Sequence, residues 1–136
     1  MTTPGGHVPI FVHSLRVRYG ECDPQGVVYN ANYLTFLDVA FTELWRGLGT
    51  PYSTLVARGI DTMMVQADLS FRRPARSDDE LDVELLPPSL GTTSMTFDAT
   101  IRRGDDVLLE ARLAYVFVDP ATLTKREIPQ EVRELL

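Results

Sequence analysis

Cysteine occurs once in this chain of 136 residues, histidine only twice, and no long apolar or long basic run occurs at all. The single Cys22 excludes an internal disulfide and any multi-cysteine metal site. The two histidines, His7 and His13, leave no convincing metal-ligand set and no evident base for a cysteine nucleophile, so no metal is expected. A spanning helix needs ~20 consecutive apolar residues, and nothing here approaches that length, so no membrane span is expected. The opening "MTTPGGHVP" has neither the basic flank nor the apolar block of a signal peptide. It reads as a flexible lead-in over residues 1–9, and a cytoplasmic location is the default. Serine-elbow, zinc-helix and P-loop motifs are all missing, which removes the common hydrolase and nucleotide classes. The formal charge of −6, without a basic stripe, argues against a nucleic-acid surface, because such surfaces work by neutralising phosphates.

What is present is a soluble globular composition, 44% hydrophobic and 24% charged, enough for one domain over residues 10–136. Residues 10–19, "IFVHSLRVRY", alternate at period two: Val12, Ser14, Arg16 and Arg18 against His13, Leu15, Val17 and Tyr19. That is the pattern of a half-buried strand. The period then changes. Leu34, Leu37, Phe41, Leu44, Trp45 and Leu48 recur at helical spacing, with Phe36, Val39 and Ala40 widening the stripe. Asn30 or Asn32 is expected as N-cap, and Gly47, Gly49 and Pro51 supply the stop. So wide an apolar face must be wrapped. "PYSTLVARG" predicts a short second helix.

From residue 61 the chain reads as four strands, "TMMVQADLSFRR", "ELDVELLP", "TTSMTFDATIRR" and "DVLLEARLAYVFVD". "RSDDE", "PPSLG" and "RGDD" separate them, spacings that favour antiparallel hairpins over crossovers. The tail "IPQEVRELL" predicts a closing helix. The expected architecture is α+β, a curved antiparallel sheet wrapped around one long helix.

The stretch "YGECDPQGVVYNANY" (19–33) joins the first strand to that helix. Asp23 stands there in a turn made by Pro24 and Gly26. Taken alone, an Asp-Pro pair between strand and helix is turn chemistry. In company with the wide-faced helix and the four strands, it becomes a candidate site.

Arg18, Tyr19, Asp23, Gly26, Val27, Val28, Tyr29, Asn32 and Tyr33 together resemble the motif of the hotdog-fold thioesterases, in the branch of the 4-hydroxybenzoyl-CoA thioesterases. "FRRPARSDDELDVE" (71–84) is similar to a second, weaker signature of that branch. Glu21 departs mildly from the acid of the pattern, and Asn30 stands where many members carry histidine. The resemblance implies hydrolysis of an acyl-CoA, with coenzyme A as part of the substrate and no further cofactor. Asp23 is then the catalytic carboxylate, as nucleophile or as general base on water. Gly26, Val27, Tyr29, Asn30, Tyr33 and Asp38 are candidates for holding the oxyanion and the acyl group. Blander readings make the two tyrosines packing residues, the asparagines caps and Asp38 a partly exposed helix acid. Arg72, Arg73 and Arg76 are candidates for the coenzyme A phosphates. The leaving thiolate is stable near neutral pH, since thiols ionise near about 8.5, so a strong acid is not needed to expel it. The free N–H groups of the helix start supply oxyanion donors.

The resemblance also implies self-association as a dimer or a dimer of dimers, with the site at the subunit boundary. Apolar strand residues Met63, Val65, Phe97 and Val116 are expected to furnish the second surface. Two other readings stand beside this one. The first is an acyl-carrier-protein thioesterase of the same fold. The second is a non-catalytic acyl-CoA binder in which Asp23 is only a turn residue.

Overall fold

Alternation at period two builds the first strand, β1 (Phe11–Arg16), which exposes Val12, Ser14 and Arg16 and turns Phe11, His13 and Leu15 inward. These are coordinates of a computed structural model, described from Val8 to Leu136. Most of the expected lead-in, His7 included, lies outside the described residues. The strand stops earlier than the alternation does. Tyr19–Glu21 form a 3-10 turn, closed by the Glu21 N–H donating to the Arg18 carbonyl at 3.0 Å.

The long helix α1 runs Asn30–Gly47, 18 residues, or about 27 Å at 1.5 Å per residue. It buries Tyr33, Phe36, Leu37, Ala40, Phe41, Leu44 and Trp45. Leu34 and Val39 do not join that face; they are 36% and 40% exposed. Neither expected asparagine caps it. Tyr29 is the N-cap, with no side-chain cap bond, and Asn30 is already the first helical residue. At the other end Gly49 adopts φ 86°, the left-handed conformation that stops a helix and suits glycine. The short helix α2 (Tyr52–Ala57) follows as expected.

Five further strands are β2 (Asp61–Phe71), β3 (Glu80–Leu85), β4 (Ser89–Leu90), β5 (Ser94–Arg103) and β6 (Asp106–Val118), before the closing helix α3 (Gln130–Leu135). The two-residue β4 forms where only a turn was expected, and it pairs with β5. All pairings are antiparallel, in the order β1-β3-β5-β6-β2. The strands are therefore not a simple succession of hairpins. β2 does not pair with the next strand, β3, but with β6, from Asp61 against Val118 to Phe71 against Leu109. The chain between them, residues 72–79, crosses the end of the sheet instead, which leaves β2 at an edge. A register shift between Met64 and Gln66 leaves Val65 as an extra residue, and such bulges bend a sheet.

The sheet's inner face supplies Leu81, Val83, Leu85, Met95, Phe97, Ile101, Leu109, Leu113 and Phe117, all buried against α1. Phe41 stacks on Tyr115 at 4.1 Å between ring centroids and meets Phe97 edge-on at 5.9 Å. Phe97 is thus spent on the core and leaves no second surface; Val116 is half-buried, while Met63 and Val65 are 43% and 61% exposed. This is the hotdog arrangement, α+β, that the motif implied. No helix among the described residues is long and apolar enough to cross a membrane.

Leu37 is fully buried midway along α1. Leu37→Ala should therefore lower the unfolding free energy by about 2–5 kcal/mol, read as a fall in the urea midpoint at unchanged slope.

Candidate active site

Between the 3-10 turn and α1 the chain doubles back on itself. The Tyr29 N–H donates to the Glu21 carbonyl at 3.0 Å, Cys22 bridges to Val28, and the Asp23 N–H donates to the Val27 carbonyl at 2.9 Å. Gly26 closes the loop by donating its N–H to the Asp23 carbonyl at 2.9 Å, at φ 78°. A side chain at that left-handed position would be strained, which accounts for glycine here. This miniature ladder sets Asp23 opposite Val27 and feeds directly into the first turn of α1.

The Asp23 carboxylate is half-buried. Its Oδ1 accepts the Gln25 N–H at 2.9 Å, and its second oxygen has no partner among the described residues. One oxygen is thereby anchored within the loop, and the other is not. Asp23, Cys22, Gly26, Tyr19 and Ser77 line a recess of about 420 Å³. Asn30 and Val27 line a separate recess of about 210 Å³ with Tyr33, Phe71, Arg72 and Arg73. Consecutive residues Gly26 and Val27 join the two. The N–H groups of Asn30 and Ala31 are the orphan donors of an uncapped helix end, where the positive end of the helix dipole lies. They have no acceptor among the described residues.

Two braces hold this ladder. Glu21, the departure from the motif, accepts the Arg18 N–H at 2.7 Å and the Arg18 guanidinium at 3.0 Å. Partial burial raises its pKa, but the bonds and charge of Arg18 outweigh that and hold it below the usual carboxylate range. The Asn32 amide, expected as a cap, instead donates to the Glu21 carbonyl at 2.7 Å. The second brace is the crossing segment 72–79, the weaker signature of the sequence. Ala75, fully buried, accepts the Val28 N–H at 2.9 Å and donates its own N–H to the Tyr33 hydroxyl at 3.0 Å. Asp79 ties that segment down by accepting the Arg76 N–H at 2.8 Å and Arg103 at 2.7 Å. Burial raises the Asp79 pKa, but these two partners prevail and lower it.

The remaining candidates are spread out. Tyr33 is 3% exposed, and its hydroxyl is engaged by the brace; Tyr29 is half-exposed. Arg72 pairs with Glu110 at 3.0 Å and Arg73 with Asp106 at 3.4 Å, both in solvent. Arg76 is exposed and lines neither recess. Asp38 is eight positions beyond Asn30 (38 − 30), facing a third cavity of about 310 Å³ that also takes in Tyr52, Thr62 and Tyr115. Sequence reading missed Ala75, Tyr52 and Tyr115. The one available signal was Tyr115, an inward position of β6 bearing a hydroxyl between Leu113 and Phe117.

The sequence model described as "Thioesterase superfamily" matches residues 25–110. The acyl-CoA thioester hydrolase YbgC of Escherichia coli O157:H7 is 32% identical over 124 residues, covering 90% of this chain and 92% of that protein. The 4-hydroxybenzoyl-CoA thioesterase of Pseudomonas sp. (strain CBS-3) is 32% identical over 130 residues, covering 88% and 92%. Among solved structures, a hypothetical protein from Aquifex aeolicus superposes with a TM-score of 0.87 at 28% identity, covering 93% and 98% of the two chains. A gentisyl-coenzyme A thioesterase superposes at 0.83 with 25% identity, covering 90% and 99%.

Tyr33→Phe removes the only acceptor that the buried Ala75 N–H has among the described residues. The expected cost is about 1–3 kcal/mol of stability, measured by urea unfolding. An unchanged midpoint would show that Ala75 finds another acceptor.

Proposed function

The chain belongs to the thioesterase superfamily, and on that premise we propose that it hydrolyses the thioester of a small acyl-CoA, with Asp23 as the catalytic carboxylate and the α1 N-terminus as oxyanion hole. The observation that carries this reading is the pairing of a half-free carboxylate with an uncapped helix end, joined by a ladder of only a few residues.

The chemistry follows from those two groups. As a base, Asp23 takes a proton from water, and the resulting hydroxide attacks the thioester carbon. As a nucleophile, its free oxygen attacks directly and gives a mixed anhydride that water then opens. Either way the carbonyl oxygen gains a full negative charge beside the N–H groups of Asn30 and Ala31, where each donor is worth ~3 kcal/mol. The C–S bond then breaks, and the thiolate leaves and is protonated. The products are the free acid and coenzyme A. Gly26 keeps the approach clear of side chains, and Val27 and Tyr29 cover it. Arg72 and Arg73, whose exposed ion pairs cost about 0–1 kcal/mol to exchange, are free to turn to the coenzyme A phosphates, with Arg76 near them in the chain.

The reading also takes the active unit to be at least a homodimer. One chain alone leaves the candidate residues in three shallow recesses, with apolar Leu34, Val39, Met63, Val65 and Phe71 exposed along α1 and the edge strand β2. A second copy across that edge would wall the recesses into one site and cover the unpaired strand. Sedimentation should find a dimer or a larger assembly at micromolar concentration; a stable monomer would contradict this.

For the chemistry, thiol release from aromatic and aliphatic acyl-CoAs should fall by about 100-fold or more in Asp23→Asn, with the assembly intact. Equal release by native and variant protein would remove Asp23 from the mechanism.

A further inference from the structure

Asn30 and Ala31, whose N–H groups have no acceptor among the described residues, lie between two attachments to one oxygen atom. Ahead of them the Tyr29 N–H donates to the Glu21 carbonyl at 3.0 Å. Behind them the half-buried Asn32 side-chain amide donates to the same carbonyl at 2.7 Å. Both lone pairs of that oxygen are then in use, and the segment bearing the two free donors is pinned at each end. The Glu21 carbonyl also belongs to the limb of the ladder that carries Asp23, two residues further along. One atom therefore ties the carboxylate's limb to the first turn of α1.

Tyr33 fastens the returning limb: its hydroxyl accepts the Ala75 N–H at 3.0 Å, and Ala75 accepts the Val28 N–H at 2.9 Å. Consecutive side chains of α1 thus hold the two limbs, Tyr33 through an intermediary and Asn32 directly. The residue type at 32 matters chemically. A carboxylate in a first helical turn is drawn to the free N–H groups and the positive end of the dipole, and would occupy the donors that an oxyanion needs. An amide nitrogen only donates, so it turns from those N–H groups to a carbonyl. The backbone N–H of Asn32 is already satisfied, donating to the Tyr29 carbonyl at 2.9 Å. The side-chain bond is therefore a separate tie, additional to the helix itself.

We propose that Asn32 is a positioning residue for the hydrolysis: its amide, by claiming the Glu21 carbonyl, fixes the N–H groups of Asn30 and Ala31 relative to the Asp23 limb. It acts through the backbone and not on the substrate. This rests on the thioesterase reading and adds to it a residue that holds its two parts in register. Without the tie, the first turn of α1 and the Asp23 limb keep only the ladder's backbone bonds between them. Small displacements then separate the carboxylate from the donors, and loss of orientation is costly to catalysis.

The test measures thiol release from aromatic and aliphatic acyl-CoAs by native protein, Asn32→Ala and Asn32→Asp. The ketone analogue of the best substrate, with CH2 in place of the thioester sulfur, is bound alongside; calorimetry gives its affinity and stoichiometry, and infrared spectroscopy its carbonyl stretch. Donors at the helix start polarise that carbonyl and lower the stretch. Both variants should lose about 10- to 100-fold in kcat, with KM and analogue affinity close to native and the stretch moved back toward that of the free analogue. A merely structural role would lower the binding stoichiometry and leave the stretch of bound analogue at its native value. Native kcat and stretch in the folded variants, or a loss confined to the charged Asn32→Asp, overturns the proposal. If native protein releases no thiol from any substrate, the thioesterase reading fails, and exchange of the Tyr29 amide hydrogen, followed by NMR, decides the tie. Faster exchange in Asn32→Ala upholds it, and unchanged exchange overturns it.

Discussion

Everything at the candidate site depends on the three-rung ladder between Glu21–Asp23 and Val27–Tyr29. It fixes where α1 begins, because the Tyr29 N–H is spent on Glu21 and the next residue is helical. It fixes where the Asp23 backbone lies, one rung from the turn. Gly26 makes the turn possible, and Ala75 holds it from behind through the Val28 N–H. A helix with a conventional side-chain cap would have been more stable by about 1 kcal/mol. Leaving the cap off Tyr29 forgoes that stability and keeps two N–H donors available.

The rest of the fold serves as scaffold to that ladder. α1 is anchored by an apolar face that includes Leu37, Ala40, Leu44 and Trp45, each fully buried, so its N-terminus cannot drift. The sheet curls over this face and ends in β2, whose edge is bulged at Val65 and still carries exposed Met63 and Val65. Edges of that kind invite another chain. The buried Glu84–Arg102 pair, at 2.6 Å, shows that the sheet also carries charge inside, matched between β3 and β5.

The features readable in advance were those with local periodicity. The alternation over residues 10–19 and the helical stripe from Leu34 to Leu48 announce a strand and a helix, found at Phe11–Arg16 and Asn30–Gly47, and Asp23-Pro24 with Gly26 announces a turn. The pairing of β2 with β6 was not readable, because it joins residues 61–71 to residues 109–118 and nothing local encodes that choice. For the same reason the contacts of Ala75 with Val28 and Tyr33 were hidden, although the segment itself had been singled out. Asn30 and Asn32 misled as caps because residue type alone cannot foresee that the Asn32 amide is claimed by the Glu21 carbonyl. Leu34 and Val39 misled because a wide stripe of apolar residues does not say whether those at its margins face the sheet or solvent.

If Asp23 and the α1 N-terminus act together as proposed, a bound thioester carbonyl lies between the free oxygen of Asp23 and the N–H groups of Asn30 and Ala31. The most direct measurement is a crystal structure of the assembled protein with an acyl-CoA ketone analogue, which keeps the carbonyl but cannot be hydrolysed. The carbonyl oxygen should lie within about 2.7–3.1 Å of those N–H groups, with the Asp23 carboxylate beside the carbonyl carbon, directly or through one water. A carbonyl bound away from the α1 N-terminus, with Asp23 turned to other partners, would contradict it.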